Sequence, residues 1–311
     1  MFDAVDFSVW PAPGRSWDDI AATARLADTS GWHGIWFADH YMPNTEDGAV
    51  ADGDTHECWS VLPALAAITE HVRLGSLVSP TSVHHPALLA NRIATIDHIS
   101  NGRAVLGLGA GWQVNEHRAY GIELASPGER VGRFDEAIQI VRALLHDQRT
   151  TFDGRYFTIT DAPCEPKPVQ ARLPILVGTS GSRMMRVTAR HADEWNTWGD
   201  VGAAAMKTTS FLAACEAVGR DPATMRRSVQ AMVSMEDAPG KLAELRENAP
   251  AGRSINGTPS ELVDTLGKYV ELGFDEFIVP EWTFGRDLTK RLATIDRFRT
   301  EVAAHFVGHS K

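Results

Sequence analysis

Eight short runs of apolar or β-branched residues recur along the chain, and helical-looking amphipathic stretches lie between them. The runs are DFSVW (6–10), GIWFA (34–38), VRLGSLV (72–78), AVLGLGA (104–110), PILVGT (174–179), DEWNTW (193–198), RSVQAMVSM (227–235) and FDEFIVP (274–280). Strands alternating with helices in this way are the mark of βα units around a parallel sheet. The intervening stretches carry helix punctuation. SWDDIAATARLADTSG (16–31) has a serine cap, an acidic first turn and a terminal glycine, while TPSELVDTLGKYVELG (258–273) has proline in its first turn and glycine at its end. Helices are also expected over 85–102, 130–147 and 182–192. Eight such units in 311 residues predict one α/β domain over 1–311, a (β/α)₈ TIM barrel with insertions, with a doubly wound sheet as the alternative.

Two stretches fall outside the repeat. Residues 150–174, proline-rich in their second half, read as an ordered surface excursion. Residues 236–257 are polar and glycine-rich, and a long structureless loop here is a candidate for a mobile cover over the site, with a plain surface insertion as the other reading.

A formal net charge of −10 argues against a nucleic-acid surface and for partners that are small molecules or other proteins. Cys58, Cys164 and Cys215 are widely spaced, with no CxxC pair, so neither a disulfide framework nor a zinc knuckle is expected. The acidic N-terminus MFDAVDFSVW does not read as a signal peptide, and no apolar run is long enough to cross a bilayer. A cytoplasmic protein is the expectation. No HExxH or comparable ligand spacing is present, so no metal site is expected either.

In a barrel of this kind the chemistry sits at the carboxyl ends of the strands. In GIWFADHYMP (34–43) the apolar run ends in Asp39 and His40, and an imidazole at that rim can exchange a proton near neutral pH; a satisfied structural histidine is the competing reading. GLGAGW (107–112) has Trp112 where a dinucleotide fingerprint needs its third glycine, so a Rossmann site is not expected. Its small residues, Gly109 and Gly111 among them, allow either close approach of a flat ring or tight packing at the rim. In VGTSGSRMM (177–185), Gly178, Thr179, Gly181 and Ser182 precede a helix and can hold a phosphate or simply cap it.

Taken jointly, GIWFADHYMP (34–43), LGSLVSPTSVHHPALLA (74–90), GRAVLGLGAGWQVNEHRAYG (102–121), PCEPKPVQ (163–170), PILVGTSG (174–181) and GTPSELVDTLGKYVELGFDEFIVP (257–280) resemble the luciferase-like monooxygenase family, in its branch dependent on the deazaflavin F420. The resemblance implies a cofactor ring bound at the carboxyl ends of the strands, with a non-prolyl cis peptide behind it at Ser76-Leu77. It implies ring contacts from Asp39 and Asn115, a phosphate site at Gly178, Thr179, Gly181 and Ser182, and His40 as acid or base. In sugar-phosphate dehydrogenases of the family a glutamate stands where this chain has Trp112, so a sugar phosphate is not the expected substrate. With Trp10, Trp198 and Trp282, Trp112 is instead expected to line a pocket for an apolar substrate, and Trp36 is a further candidate. The expected activity is hydride transfer between F420 and a small organic molecule, with an FMN-dependent monooxygenase and a non-catalytic binding barrel as alternatives. Lys207, Arg286 and Lys290 are candidates for a basic groove that accepts the acidic tail of F420. A homodimer is implied by the resemblance alone.

Overall fold

The computed structural model describes residues 5–306. In chain order the elements are β1 (Asp6–Trp10), α1 (Trp17–Thr29), β2 (Gly34–Phe37), α2 (Cys58–Ile68), β3 (Arg73–Ser76), β4 (Ser79–Pro80), α3 (Pro86–Ile99), β5 (Ala104–Gly109), α4 (Val114–Ala119) and α5 (Pro127–His146). They continue with β6 (Thr150–Asp153), β7 (Thr158–Ala162), β8 (Ile175–Gly178), α6 (Ser182–His191), β9 (Glu194–Trp198), α7 (Val201–Val218) and β10 (Arg226–Gln230). The last are β11 (Met232–Met235), α8 (Pro239–Glu247), β12 (Ser254–Gly257), α9 (Pro259–Glu271), β13 (Glu276–Pro280) and α10 (Leu288–Glu301).

Parallel pairing runs β3-β2-β1-β13-β10-β9-β8-β5, and β5 returns to β3 through Leu74–Ala104 and Gly75–Val105. That last pairing closes the ring, so the chain is an eight-stranded barrel rather than an open doubly wound sheet. All eight expected strands are present in it. Side chains alternate along each strand, so Val9, Ile35, Leu74 and Leu106 face the helices while Trp36, Val105, Leu176 and Ile278 fill the interior.

Three expectations change in the structure. The third run breaks after Ser76: Leu77 N–H still bonds Phe37 O at 2.8 Å, and the cis peptide follows it at Leu77-Val78 rather than at Ser76-Leu77. Pairing to β2 thus reaches Leu77, one residue short of the end of the expected run. The seventh run divides into β10, inside the barrel, and β11, which leaves it to pair with β12. Residues 236–257 are therefore not structureless, since they contain α8 and β12. The excursion at 150–174 carries the antiparallel β6–β7 hairpin, whose turn is tied down by Glu136 accepting the N–H groups of Arg155, Tyr156 and Phe157.

The amino end of the barrel is closed by charge. Glu276 is fully buried; its Oε1 accepts from Ser8 Oγ at 2.5 Å and Trp36 Nε1 at 2.8 Å, and its Oε2 faces Arg226 Nε at 3.3 Å and Arg73 Nη1 at 3.7 Å. Arg73 also pairs with Glu194, and Arg226 with Asp6. Burial alone would raise the Glu276 carboxyl, but Arg226, Arg73 and His33 hold it below the usual carboxylate value. A depressed folded-state value means that its stabilising contribution is present above the unfolded carboxylate pKa of about 4.3 and is lost as pH falls through the folded one. Urea melts from neutral pH into acid should show this loss for the wild type and less of it for Glu276→Gln. That variant should be destabilised at neutral pH by roughly 3 kcal/mol, the lower end for a broken buried pair because both arginines keep some solvent contact.

Candidate functional site

Asp39 and His40 follow directly from β2 and, as neighbours on extended chain, turn to opposite sides. Asp39 is 1% exposed; its Oδ2 accepts from Ser79 Oγ at 2.5 Å, Trp59 Nε1 at 2.9 Å and His84 Nε2 at 2.9 Å. Burial would raise this carboxyl, but the His84 N–H, Ser79 and Trp59 keep it below the ordinary value. Its Oδ1 has no partner among the described residues. The aspartate thus ties the β2 end to β4 and α2, and it is His84 rather than His40 that it orients. Arg92 Nη1, 3.3 Å from His84 Nδ1, completes that arrangement.

His40 is held by Glu116 instead. Its Nδ1 lies 3.0 Å from Glu116 Oε1, and the other carboxylate oxygen accepts the Tyr41 N–H at 2.9 Å. Glu116 is almost fully buried in α4, whereas the His40 side chain keeps 23% of its surface in solvent. A carboxylate at Nδ1 places a proton there and leaves Nε2 without a partner among the described residues. Trp112, 57% exposed, stands edge-on to the imidazole at 5.5 Å. Glu116 was not singled out in the sequence. The signal was the polar run Asn115-Glu116-His117 two residues after the GLGAGW turn, and all three side chains are buried.

The glycines of that turn serve the protein itself. A Cβ on Gly107 would lie 1.9 Å from Ser76 O, and one on Gly109 would lie 2.8 Å from Val78 Cγ2. Val78 also abuts Gly178, so the residue after the cis bond fills the space between two neighbouring strands. Gly111 adopts φ +87°, where a side chain would be strained, and Arg130 Nη1 donates to its carbonyl. Ser76 is buried with its hydroxyl on Gly107 O, and Leu77 lies in the barrel interior. Asn115 Nδ2 donates to Pro43 O at 2.9 Å and Ala49 O at 3.0 Å, while Oδ1 accepts the Glu116 N–H. Its side chain therefore pins the loop after β2 and positions Glu116.

Trp10, Trp198 and Trp282 meet at the carboxyl end, with ring centres 4.8 Å (Trp10–Trp282), 5.6 Å (Trp10–Trp198) and 6.0 Å (Trp198–Trp282) apart. The indole N–H groups of Trp10 and Trp282 are buried without partners among the described residues. Trp36 is not among them, because its N–H points to Glu276 at the other end. The turn Gly178–Ser182 lies open: Thr179 Oγ1 accepts the Gly181 N–H at 3.3 Å, a Cβ on Gly181 would meet nothing within 4 Å, and α6 has no side-chain cap. Of the basic candidates, Lys207 gives its ammonium to Trp198 O at 2.6 Å, while Arg286 and Lys290 flank the start of α10. Among the described residues no three His, Cys, Asp or Glu side chains group as metal ligands, and no helix is long and apolar enough to cross a membrane.

Comparison with known proteins agrees with this architecture. An F420-dependent glucose-6-phosphate dehydrogenase of Kineococcus radiotolerans is 28% identical over 306 residues, an alignment covering 96% of this chain and 88% of that protein. The solved structure of an F420-dependent secondary alcohol dehydrogenase with an F420-acetone adduct superposes with a TM-score of 0.81 at 19% identity, covering 94% of this chain and 98% of the other. A monooxygenase from Streptomyces bottropensis superposes with a TM-score of 0.80 at 21% identity, covering 97% of this chain and 100% of the other. At those identities the two structures speak for the barrel alone. The match that decides the family is to luciferase-like monooxygenases, and it extends over residues 1–249. The chain belongs to the luciferase-like monooxygenase family.

Proposed function

We propose that the chain is an F420-dependent oxidoreductase that transfers a hydride between the deazaflavin and a small, largely apolar organic molecule. The observation that carries this reading is the His40–Glu116 pair, which presents an unpartnered Nε2 at the carboxyl-end mouth beside Trp112. The F420-dependent glucose-6-phosphate dehydrogenase similar over nearly the whole chain supports the choice of cofactor. The residues fit such a group: Asp39 Oδ1 is a buried acceptor without a partner, and the indole N–H groups of Trp10 and Trp282 are buried donors in the same condition. These polar atoms suit a flat heterocycle with both donors and acceptors.

Bound there, F420 supplies hydride exchange at C5 of its ring. His40 moves the accompanying proton at Nε2, and Glu116 fixes the tautomer and the ring plane from the opposite nitrogen. Asp39 keeps the β2 end and Ser79 in place. In this reading Gly178, Thr179, Gly181 and Ser182 hold the cofactor phosphate, and Ser76, Leu77, Gly109 and Gly111 shape the backbone behind the ring. Trp10, Trp198 and Trp282 form an apolar wall that keeps water out. An indole at position 112 offers no charge to a sugar phosphate and favours an apolar substrate instead.

Tryptophan fluorescence should be quenched when the protein is titrated with F420, and FMN should need a concentration more than about tenfold higher. Tight FMN binding without F420 binding assigns the barrel to the flavin-dependent monooxygenases instead. His40→Ala should reduce kcat by about 10²–10⁴-fold with the F420 affinity unchanged, the usual worth of a positioned acid or base. Unchanged turnover at saturating cofactor removes His40 from that role. Glu116→Ala should lower kcat with a much smaller effect on KM, because it frees the imidazole to rotate.

A further inference from the structure

Of the three indoles in the apolar wall, two are placed by the sheet and one is not. Trp10 ends β1, where its register partner is Pro280, and Trp198 ends β9 beside Gln230. Trp282 lies past the end of β13, in a single turn over Glu281–Thr283, so the barrel ladder does not fix its backbone. The residues that flank it are held instead by side chains. Glu281 is fully buried; its Oε1 accepts the Ala12 N–H at 2.8 Å and the Arg15 Nε–H at 3.3 Å, and its Oε2 lies 2.9 Å from Arg291 Nε. The two guanidiniums then grip the chain beyond the turn. Arg15 Nη2 donates to Gly285 O at 3.0 Å and Arg291 Nη1 to Arg286 O at 3.0 Å, while Arg291 Nη2 reaches Asp19 Oδ2 in α1 at 2.6 Å. On the other flank the Thr283 hydroxyl donates to Val233 O in β11. Phe284 packs on Phe298 of α10 at 6.4 Å, which ties the segment to the outer layer but not to β1.

We infer that Glu281 is a positioning residue for the substrate pocket: with Arg15 and Arg291 it clasps the loop after β13 to the loop after β1 and so sets Trp282 edge-on against Trp10. The two rings lie 4.8 Å apart at 64°, an arrangement that rotation of the turn would break. A buried carboxylate between two guanidiniums holds such a geometry more firmly than apolar contact alone, because any partner left behind would be a desolvated charge. Among the described residues, the hydrogen bonds and ion pairs of Glu281 involve neither His40 nor the Gly178–Ser182 turn. The clasp therefore acts on the shape offered to the substrate, through Trp282, and not on the proton or the cofactor phosphate. That the wall faces substrate rests on the proposed function; the placing of Trp282 by the clasp does not.

Far-ultraviolet circular dichroism of the cofactor-free protein tests the clasp, because indoles in edge contact give an exciton couplet, which Trp282→Phe assigns. Glu281→Gln should lose the couplet. Arg15→Gln, whose side chain keeps 17% of its surface in solvent, should lose most of it and carries the test if Glu281→Gln fails to fold. Arg297→Gln, which removes an ion pair elsewhere on α10, should leave it intact. A wild-type couplet kept in a clasp variant that is less stable to urea makes Glu281 merely structural and overturns the inference, as does a couplet that Trp282→Phe does not change or that Arg297→Gln also abolishes. Calorimetric titration with 2-acetylnaphthalene, a flat apolar ketone, adds the functional arm. The wild type should bind it and Arg15→Gln about tenfold more weakly, with F420 affinity unchanged. Equal binding of the ketone by the two proteins, or a matching loss of F420 affinity, overturns the role in the substrate pocket. A couplet lost in the variants of a protein that does not bind the ketone supports the clasp and overturns the apolar-substrate reading.

Discussion

The barrel depends on one carboxylate that has been taken out of water. Glu276 opens β13, and its two oxygens contact Ser8 on β1, Trp36 on β2, Arg73 on β3 and Arg226 on β10. Five of the eight barrel strands therefore converge on a single side chain. A charge so placed is costly unless every lone pair is satisfied, and this requirement sets the strands' relative positions at the amino end. With that end closed by ionic contacts, the carboxyl end is free to be apolar and open. Trp36 links the two, with its ring among the interior side chains and its N–H on the carboxylate.

At the carboxyl end two further carboxylates, Asp39 and Glu116, organise the residues that follow β2. Asp39 commits Oδ2 to architecture, gathering Ser79, Trp59 and His84, and keeps Oδ1 unpartnered among the described residues, while Glu116 holds His40. Adjacent residues at the strand end thus answer to different partners, one inside the wall and one at the mouth. Asn115 connects this arrangement to the loop after β2, since it binds Pro43 and Ala49 on one side and the Glu116 amide on the other.

The strands were legible because parallel barrel strands are covered on both faces and read as apolar runs. Helices with serine or threonine caps were legible for the same kind of local reason, whereas α2 was missed because its N-cap is Glu57, which accepts the N–H groups of Trp59 and Ser60 in place of the serine or threonine that marks a helix start. The tail of the seventh run, Met232–Met235, looked continuous with β10 because both halves are rich in β-formers; only the partner strand β12, far along the chain, distinguishes them. His40 was legible from its place at a strand end. Its partner was not, because which of several acids reaches an imidazole is a long-range fact: 76 positions separate His40 from Glu116. Trp36 shows the same limit, since its sequence neighbours do not say toward which end of the barrel an interior indole is tilted.

The packing of Val78 has a consequence for how such a barrel can change its specificity. On the side of β3, β5 and β8, backbone lies directly against backbone or against Val78: a Cβ on Gly75 would reach Val105 O at 2.4 Å and one on Gly107 would reach Ser76 O at 1.9 Å, while at Gly109 and Gly178 it would meet the Val78 methyls at 2.8 and 3.0 Å. A side chain at Gly75 or Gly107 would have to displace the backbone of a neighbouring strand. The opposite wall is made of Trp10, Trp198 and Trp282, large side chains in mutual contact that can be exchanged one at a time. One half of the mouth is therefore an anvil, adjustable only at Val78, and the other a set of replaceable jaws, so a change in the shape of the mouth has most room at β1, β9 and the segment after β13.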